Sequence, residues 1–295
     1  MTERVHVHRN GVLLILGSAT VWSFGGTIAR FLSVTDIWTV VFWRSLFAAA
    51  FLLCFMLRRE GLRGTRDLFL SMGWAGLGVG TCFAISSTTF VAALAYTTVA
   101  NILLIQAGIP LIAALMAFLL FRERVRPATW AAIAAVIAGV SIMVSASLGN
   151  KVLPTGDSLA LLAAIFFSSA LIITRRHSDV RMVPAVCLGA LIAGGVAAVM
   201  APSYAVDTRD ALLLFLFGAL NWALGMILFV SGAPLIPSAP AALIGVAEPV
   251  LGPLWVWMIH NEVPATRTIV GGFVVSCALV AHLGWQLTQR GKFVQ

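Results

Sequence analysis

Charged side chains are scarce in this sequence. Of its 295 residues, 60% are hydrophobic and only 10% are charged, whereas a soluble globular domain has about 45–50% and about 25%. The 19 basic and 11 acidic residues are also clustered between long apolar runs. So few charged side chains cannot cover the surface of a folded protein of this length in water. An ordinary soluble fold is therefore excluded.

Cysteine is equally sparse and is not grouped into a site. Each of the four cysteines lies alone within an apolar run, without a C-x-x-C motif, so we expect packing roles and neither disulfides nor metal ligands. They are Cys54, Cys82, Cys187 and Cys277. No cofactor and no metal site is expected from the sequence.

Active-site motifs are missing as well. The longest loops, near residues 58–69 and 148–157, are too short for a soluble catalytic core, and no His-rich cluster, paired-Asp motif or G-x-S-x-G occurs. The net charge of +8 is spread over short loops and the termini, with no basic stripe for nucleic acid. We therefore expect neither an enzyme nor a nucleic-acid-binding protein.

Apolar runs are what the sequence has in abundance. A transmembrane helix needs about 20 mainly apolar residues, and ten segments meet this condition. They are residues 11–31, 38–57, 70–93, 97–121, 127–147, 157–174, 184–202, 211–231, 236–259 and 266–287. The sequence thus predicts an all-α membrane protein of ten transmembrane helices, with the lipid bilayer as its surroundings.

The basic residues predict the orientation of these helices. With the N-terminus in the cytoplasm, most Lys and Arg residues fall in inner loops and tails, and outer loops hold only Lys151, Arg209 and Arg267. This is the distribution expected from the positive-inside rule. Both termini are therefore predicted to be cytoplasmic.

Two internal correspondences indicate a duplicated unit. In each half a proline precedes a glutamate at the same spacing, Pro110 and Glu123 or Pro249 and Glu262. A second correspondence matches Gly11, Trp22, Ser23 and Arg30 with Gly156, Phe167, Ser168 and Arg175. Residues 11–147 and 157–287 are thus predicted to be two five-helix repeats. Because five is odd, the repeats have inverted topology, as in transporters that alternate access to a site near the midplane.

Several segments resemble the EamA repeats of the drug/metabolite transporter superfamily. They are ALAYTTVANILLIQAGIP at 93–110, RER at 122–124, FWRS at 42–45 and EPV at 248–250, with Glu262 following. The resemblance implies a ten-helix basket around a central substrate in the bacterial cytoplasmic (inner) membrane. It is strongest for bacterial exporters of amino acids and related metabolites, such as the aromatic amino acid exporters.

The resemblance implies a transporter but does not specify the substrate, because family members carry amino acids, nucleosides, sugars and toxic cations. The aromatic and apolar character of the predicted cavity, with few charges, favours export of amino acids or related metabolites by alternating access. Efflux of lipophilic or quaternary cations is the alternative. A channel is disfavoured because no polar stripe lines a pore, and a lipid flippase because no basic head-group pocket is apparent. The expected partners are a small-molecule substrate and lipid, a monomer is plausible, and the oligomeric state stays open.

The two halves differ at two charged positions. Arg44 has no basic counterpart in the second half, and Glu248 has no acidic counterpart, since Ile109 precedes Pro110. Glu248 is interpreted as a proton-coupling or amine-binding carboxylate, or, preferably, as a buried acid that is hydrogen bonded to a neighbouring helix. For Arg44 an ion pair or snorkelling to the interface is preferred over contact with a substrate carboxylate.

A larger set of residues is predicted to line the substrate pathway, chosen by their polar, aromatic or small side chains on shared helix faces. They are Trp22, Ser23, Phe83, Ser86, Ser87, Phe90, Asn101, Gln106, Ser168, Asn221, Trp222, Gly245, Glu248 and Trp255. Asn101 and Gln106 lie about 140° apart on their helix, so they are not expected to face one cavity. Structural or gating roles are predicted for Arg30, Arg44, Pro110, Glu123, Pro249 and Glu262.

Overall fold

The described residues of the computed structural model form helices, turns and short connections. They are residues 2–122, 127–148, 154–177, 181–232, 235, 244–245 and 247–291. The α-helices are α1 (Thr2–Ser23), α2 (Gly25–Phe31), α3 (Ile37–Ser71), α4 (Gly73–Tyr96), α5 (Val99–Ala107), α6 (Ile109–Phe121), α7 (Pro127–Leu148), α8 (Pro154–Arg176), α9 (Met182–Met200), α10 (Thr208–Phe215), α11 (Gly225–Gly232), α12 (Ala247–His260) and α13 (Thr266–Gly291). A π-helix, Leu216–Leu224, joins α10 to α11.

Helices occur within each of the ten predicted spans. Among the described residues, six helical segments are long and apolar enough to cross a membrane, and the bent pair α5–α6 makes a seventh if it counts as one span. The six are Arg9–Phe31, Ile37–Ser71, Gly73–Tyr96, Thr155–Arg176, Val183–Met200 and Thr208–Gly232. The prediction of an all-helical fold with long apolar helices is thus confirmed for the described residues, whereas the number ten and the orientation stay predictions.

One predicted loop is wrong. Residues 58–69 are helical, because α3 continues to Ser71 with a single interruption at Gly61, where φ is 71°. Glycine tolerates this left-handed conformation at little cost, and the Leu, Arg and Glu residues around it favour a helix. At the other end of α3, the side chain of Asp36 accepts a hydrogen bond from the backbone N–H of Thr39 and caps the helix.

Two of the predicted spans are broken near the middle of the bundle. The first span is divided at Phe24 into α1 and α2, and the fourth is divided at Gly108 with a bend of 46°. Pro110 lies in the first turn of α6, where its missing N–H costs no helical hydrogen bond. Such breaks expose backbone carbonyls inside the bundle, where side chains can bond to them.

The two halves pack so that most helix contacts recur with the halves exchanged. Helix α1 packs on α11, and its repeat counterpart α8 packs on α4 in the same way. Similarly, α3 packs on the π-helix, and its repeat counterpart α9 packs on α4. Likewise α12 packs on α1 and α2 as α6 and α5 pack on α8, whereas α3 with α9 and α7 with α13 are self-matched pairs. The halves therefore form an approximate two-fold pair.

Small residues permit the closest crossings between the halves. A Cβ atom on Gly189 of α9 would lie 2.7 Å from the carbonyl oxygen of Gly80 in α4, and one on Gly139 of α7 would lie 2.8 Å from that of Gly271 in α13. Backbones at this separation are typical of small-residue contacts between membrane helices. The backbones of the two halves are therefore in close contact at these two crossings.

Candidate functional site

The π-helix organises the centre of the contact between the halves. A π-helix forms its backbone hydrogen bonds over five residues instead of four, and such segments are frequent at functional sites. Here the segment brings Phe217, Asn221 and Trp222 to the first half. Gly218 permits this approach, since a Cβ atom there would collide with the backbone carbonyl of Arg44.

Arg44 lies deep inside this contact. Its side chain is 3% exposed, and its guanidinium carbon lies 4.4 Å from the ring centre of Phe217, 5.6 Å from that of Trp222 and 6.0 Å from that of Phe90. Nη1 donates a hydrogen bond of 2.5 Å to the Ser87 hydroxyl. Aromatic faces stabilise a desolvated cation by up to about 2 kcal/mol each.

The structure shows neither an ion pair nor snorkelling for Arg44 among the described residues, the two roles preferred for it from the sequence. The ion pairs among the described residues join Arg30 with Glu262 and Glu60 with Arg59 and Arg181, so no described carboxylate lies within 4.0 Å of the Arg44 nitrogens. Its Nε is buried without a described partner. Snorkelling is prevented because the aromatic rings enclose the guanidinium about 10 Å along the helix from its start. A cation that is buried without a countercharge is costly and therefore indicates function.

Glu248 lies in the first turn of α12, on the face that meets the first half. Gly252, one turn further, would bring a Cβ atom to 3.4 Å from the carbonyl oxygen of Ser23 and against Leu103. Glu248 is half-buried, and no described residue forms a hydrogen bond with it. The expected hydrogen bond to a neighbouring helix is thus not found within the described part of the chain.

Trp255, two turns beyond Glu248, anchors the same face of α12 on α1. Its indole Nε1 donates to the Ser23 hydroxyl at 3.1 Å, and its ring stacks on Phe24 with centres 5.3 Å apart. Asn221 of the π-helix binds the same break from the other side, donating to the carbonyl oxygens of Val21 and Trp22 at 2.6 and 3.3 Å. The break between α1 and α2 is therefore held by both α12 and the π-helix.

Trp22, at the end of α1, also contacts the second half. Its ring contacts Phe229 with centres 5.6 Å apart, and its buried Nε1 has no partner among the described residues. The repeat counterpart Phe167 makes the exchanged contact, with Phe83 at 5.4 Å. An aromatic contact thus occupies both matched positions, but only the first half presents a free N–H there.

Several predicted pathway residues serve helix packing in this conformation. Ser86 donates to the carbonyl oxygen of Ala163 at 2.9 Å, and Ser168 donates to that of Ile109 at 3.2 Å. Phe83, Ser86 and Ser168 are all buried. Gln106 is half-buried without a described hydrogen-bond partner, and a Cβ atom on Gly245 would meet nothing within 4 Å.

Asn101 belongs to a separate, buried polar network. Its amide nitrogen donates to Asp157 at 3.0 Å and its amide oxygen accepts from Thr268 at 2.7 Å, while the Thr97 hydroxyl donates to Asp157 at 2.6 Å. Asn101 and Gln106 therefore have different surroundings. The network joins α5 and the turn before it to α8 and α13, and so ties the first half to the second.

An ion pair closes the contact between the halves next to this network. Arg30, at the end of α2, donates from Nε to Glu262 at 2.8 Å and from its other nitrogens to the carbonyl oxygens of Leu94 and Thr97 at 2.8 and 3.0 Å. Glu262 also accepts the backbone N–H of Val99 at 3.0 Å. We call the region of Arg30, Glu262, Thr97, Asn101, Asp157 and Thr268 the Arg30 end.

Arg30 is predicted from the sequence to have a structural or gating role, but its partner Glu262 is not predicted. The predicted topology puts Arg30 and Glu262 at the same membrane face, a signal that could have suggested the pair. Phe217 was also missed, although it lies one turn before Asn221, within the segment that contributes Trp222. Glu123 lies outside the described residues. Pro249 is buried in the first turn of α12 and matches the position of Pro110 in α6.

Comparison with known proteins bears on both the fold and the repeats. A family model described as the EamA-like transporter family matches the chain twice, over residues 9–145 and 154–283. A crystal structure of a protein with 16% sequence identity superposes with a TM-score of 0.65, covering 95% of this chain and 97% of its own. At that identity the superposition supports the fold alone. No curated protein matches the chain.

Proposed function

Because the chain belongs to the EamA-like transporter family and is thus a multi-pass membrane protein that moves small molecules, we propose that it exports amino acids or related metabolites by alternating access. The export takes place across the cytoplasmic membrane, through a central site between the two repeats. Substrate and lipid are its partners, and the protein works without a cofactor.

The observation that carries the proposal is the closure of the contact between the two repeats at the Arg30 end. At the Arg30 end, an ion pair and a buried hydrogen-bond network join the first half to the second. A further ion pair joins Arg181 to Glu60 between the halves, and the side chain of Arg181 is 66% exposed. A transporter that is closed at one end and can exchange the two packings of its halves has the requirements for alternating access.

The central site suits an amphiphilic solute of moderate size. Trp22, Trp222 and Trp255 are half-buried aromatic residues, and Ser87 and Gln106 are half-buried polar ones. Such a site offers apolar contact together with a few hydrogen bonds, as small-molecule sites usually do. Amino acids and related metabolites combine these two properties.

Efflux of lipophilic cations is the second candidate function, and Glu248 favours it. This carboxylate is half-buried on the face of α12 that carries Trp255, and it has no described hydrogen-bond partner. A carboxylate beside aromatic rings is a suitable site for a quaternary ammonium group. The two candidates therefore make opposite demands on the charge of the solute.

Transport by the purified protein in proteoliposomes tests the proposal. Vesicles are loaded with each of the proteinogenic amino acids in radiolabelled form, and efflux is measured with and without a pH gradient. Saturable efflux of one or more amino acids, absent from empty vesicles, is the expected result. No flux of any amino acid, together with protection of cells against quaternary amines, would overturn amino acid export in favour of cation efflux.

A further inference from the structure

Arg44 keeps hydrogen-bonding capacity that the described chain does not use. Of the five N–H groups of a guanidinium, one on Nη1 is bound to Ser87. Nε is buried without a partner, and Nη2 donates to no described residue. A structural arginine at 3% exposure would ordinarily be satisfied by carbonyls or a carboxylate, as Arg30 is.

The free edge of Arg44 has a defined shape. The N–H groups of Nε and Nη2 point in the same direction, and two parallel N–H groups match the two oxygens of a carboxylate. The Ser87 hydroxyl fixes the opposite corner, and the ring of Phe217 lies 4.4 Å from the guanidinium carbon. The fork is therefore held in place before any ligand arrives, which lowers the entropy lost on binding.

We propose that Arg44 binds the carboxylate of the transported solute through this edge, so that the substrate class is monocarboxylates with an apolar or aromatic portion. The inference rests on the proposed function and names the charge of its cargo. The ligand supplies the countercharge that the described chain lacks, and its apolar portion lies beside the half-buried rings of Phe90 and Trp222.

The surroundings of Arg44 distinguish this class from others. A purely cationic solute would be repelled by the guanidinium, because like charges in a site of low polarity interact strongly. A phosphate dianion carries more charge than one guanidinium neutralises. The C-terminal amide of an amino acid retains the shape, but its uncharged amide group offers one carbonyl oxygen in place of the two oxygens that share the carboxylate charge. Arg44 therefore distinguishes the acid from its amide.

Competition between matched solutes tests the inference in proteoliposomes. The probes are the amino acid that moves fastest in the panel described above, its C-terminal amide and its decarboxylated amine. We expect the wild-type protein to prefer the acid over the amide at least tenfold in apparent affinity, which corresponds to about 1.4 kcal/mol. Arg44→Gln is expected to abolish that preference, and Arg44→Lys to retain a weakened one, since an ammonium lacks the planar fork.

Two further variants make the result independent of folding. Arg59→Gln, which removes an exposed arginine with 67% side-chain exposure, is expected to keep the wild-type preference. Ser87→Ala releases the corner that orients the guanidinium and is expected to reduce the preference for the acid while leaving the protein monodisperse. If Arg44→Gln does not fold, the graded losses in Arg44→Lys and Ser87→Ala carry the test.

Failure of this inference is distinct from failure of the proposed function. Wild-type transport of an acid and its amide with equal affinity overturns the role of Arg44 and leaves amino acid export standing. An unchanged acid preference in Arg44→Gln does the same. If the wild-type protein moves no amino acid at all, the proposed function and the inference resting on it both fail.

Discussion

Two arginines of the first half are held in opposite ways. Arg30 donates from three nitrogens to one carboxylate and two backbone carbonyls, although its side chain remains 29% exposed. Arg44 is 3% exposed and donates a single hydrogen bond among the described residues. The better-satisfied arginine is thus the more exposed one, the reverse of the order that desolvation alone favours.

The difference separates two uses of a cation between membrane helices. Arg30 joins the end of α2 to the connection between α12 and α13 and to the end of α4 and the turn that follows it. Its hydrogen bonds are therefore internal to the fold. Arg44 is enclosed by rings that give no hydrogen-bond acceptor, and its capacity is reserved for a partner that comes from outside. Changes at the two sites should therefore affect stability and transport in different proportions.

The largest expected effect follows from replacing each arginine by methionine, which should change the stability of the protein in opposite directions at the two positions. Arg44→Met removes an uncompensated buried charge and should raise the free energy of unfolding by about 1–3 kcal/mol while abolishing transport of the acid. Arg30→Met leaves Glu262 and two carbonyls without their donor and should lower it by about 1–3 kcal/mol. Thermal midpoints in detergent at a fixed scan rate measure both. An Arg44→Met protein less stable than the wild type would identify Arg44 as structural.

Reversing the ion pair at the Arg30 end tests whether the closure depends on charge. Glu262→Arg places two cations together and should cost about 3 kcal/mol in stability, with loss of transport. The double variant Arg30→Glu with Glu262→Arg restores opposite charges and should recover part of both. Thermal midpoints and initial efflux rates are compared across the wild type, the two single variants Arg30→Glu and Glu262→Arg, and the double variant. No recovery in the double variant would mean that the backbone hydrogen bonds, and not the charges, close this end.

Enlarging Gly218 should displace the aromatic rings from Arg44 without touching Arg30. Gly218→Ala forces the π-helix away from the Arg44 backbone and should lower the free energy of unfolding by about 1–3 kcal/mol. The variant should also lose the preference for the acid over the amide. Gly195→Ala is the matched control, because a Cβ atom there meets nothing within 4 Å. Equal stability and equal transport in the two variants would contradict the packing at Gly218.

The smallest expected effect concerns the bond between Trp255 and Ser23. Trp255→Phe keeps the ring against Phe24 but removes one hydrogen bond between membrane helices, worth about 0.6 kcal/mol. The thermal midpoint should fall slightly and transport of the acid should persist. A loss of transport as large as that of Arg44→Gln would place Trp255 in contact with the solute.

Much of the fold could be predicted from the sequence, because the bilayer demands long apolar helices and the repeats preserve spacing. The spans at 70–93 and 184–202 coincide closely with α4 and α9, and the span at 38–57 begins with α3 but ends well before it. The helical segment 58–69 was missed because its charges suggested a loop, although those residue types favour helices. The π-helix was missed because a local change of period leaves little trace in hydropathy.

The candidate site was less predictable than the fold. Periodicity assigns residues to the faces of one helix, but it does not say which other helix packs against each face. Arg30 and Glu262, 232 positions apart in the chain, therefore could not be paired from the sequence. Arg44 and Glu248 were recognised as unusual because each breaks the match between halves. Their surroundings depended on contacts of α3 and α12 with the other half, which one sequence does not contain.

The exchanged packing of the two halves bears on the energy of turnover. When each contact that opens is replaced by its counterpart, the outward-facing and inward-facing forms differ little in free energy, and the resting population is decided by the few interactions without a counterpart. Each 1.4 kcal/mol of such mismatch shifts that population about tenfold. Arg44 and its bond to Ser87 are one such unmatched interaction, so a solute that engages Arg44 also changes which form of the carrier is preferred.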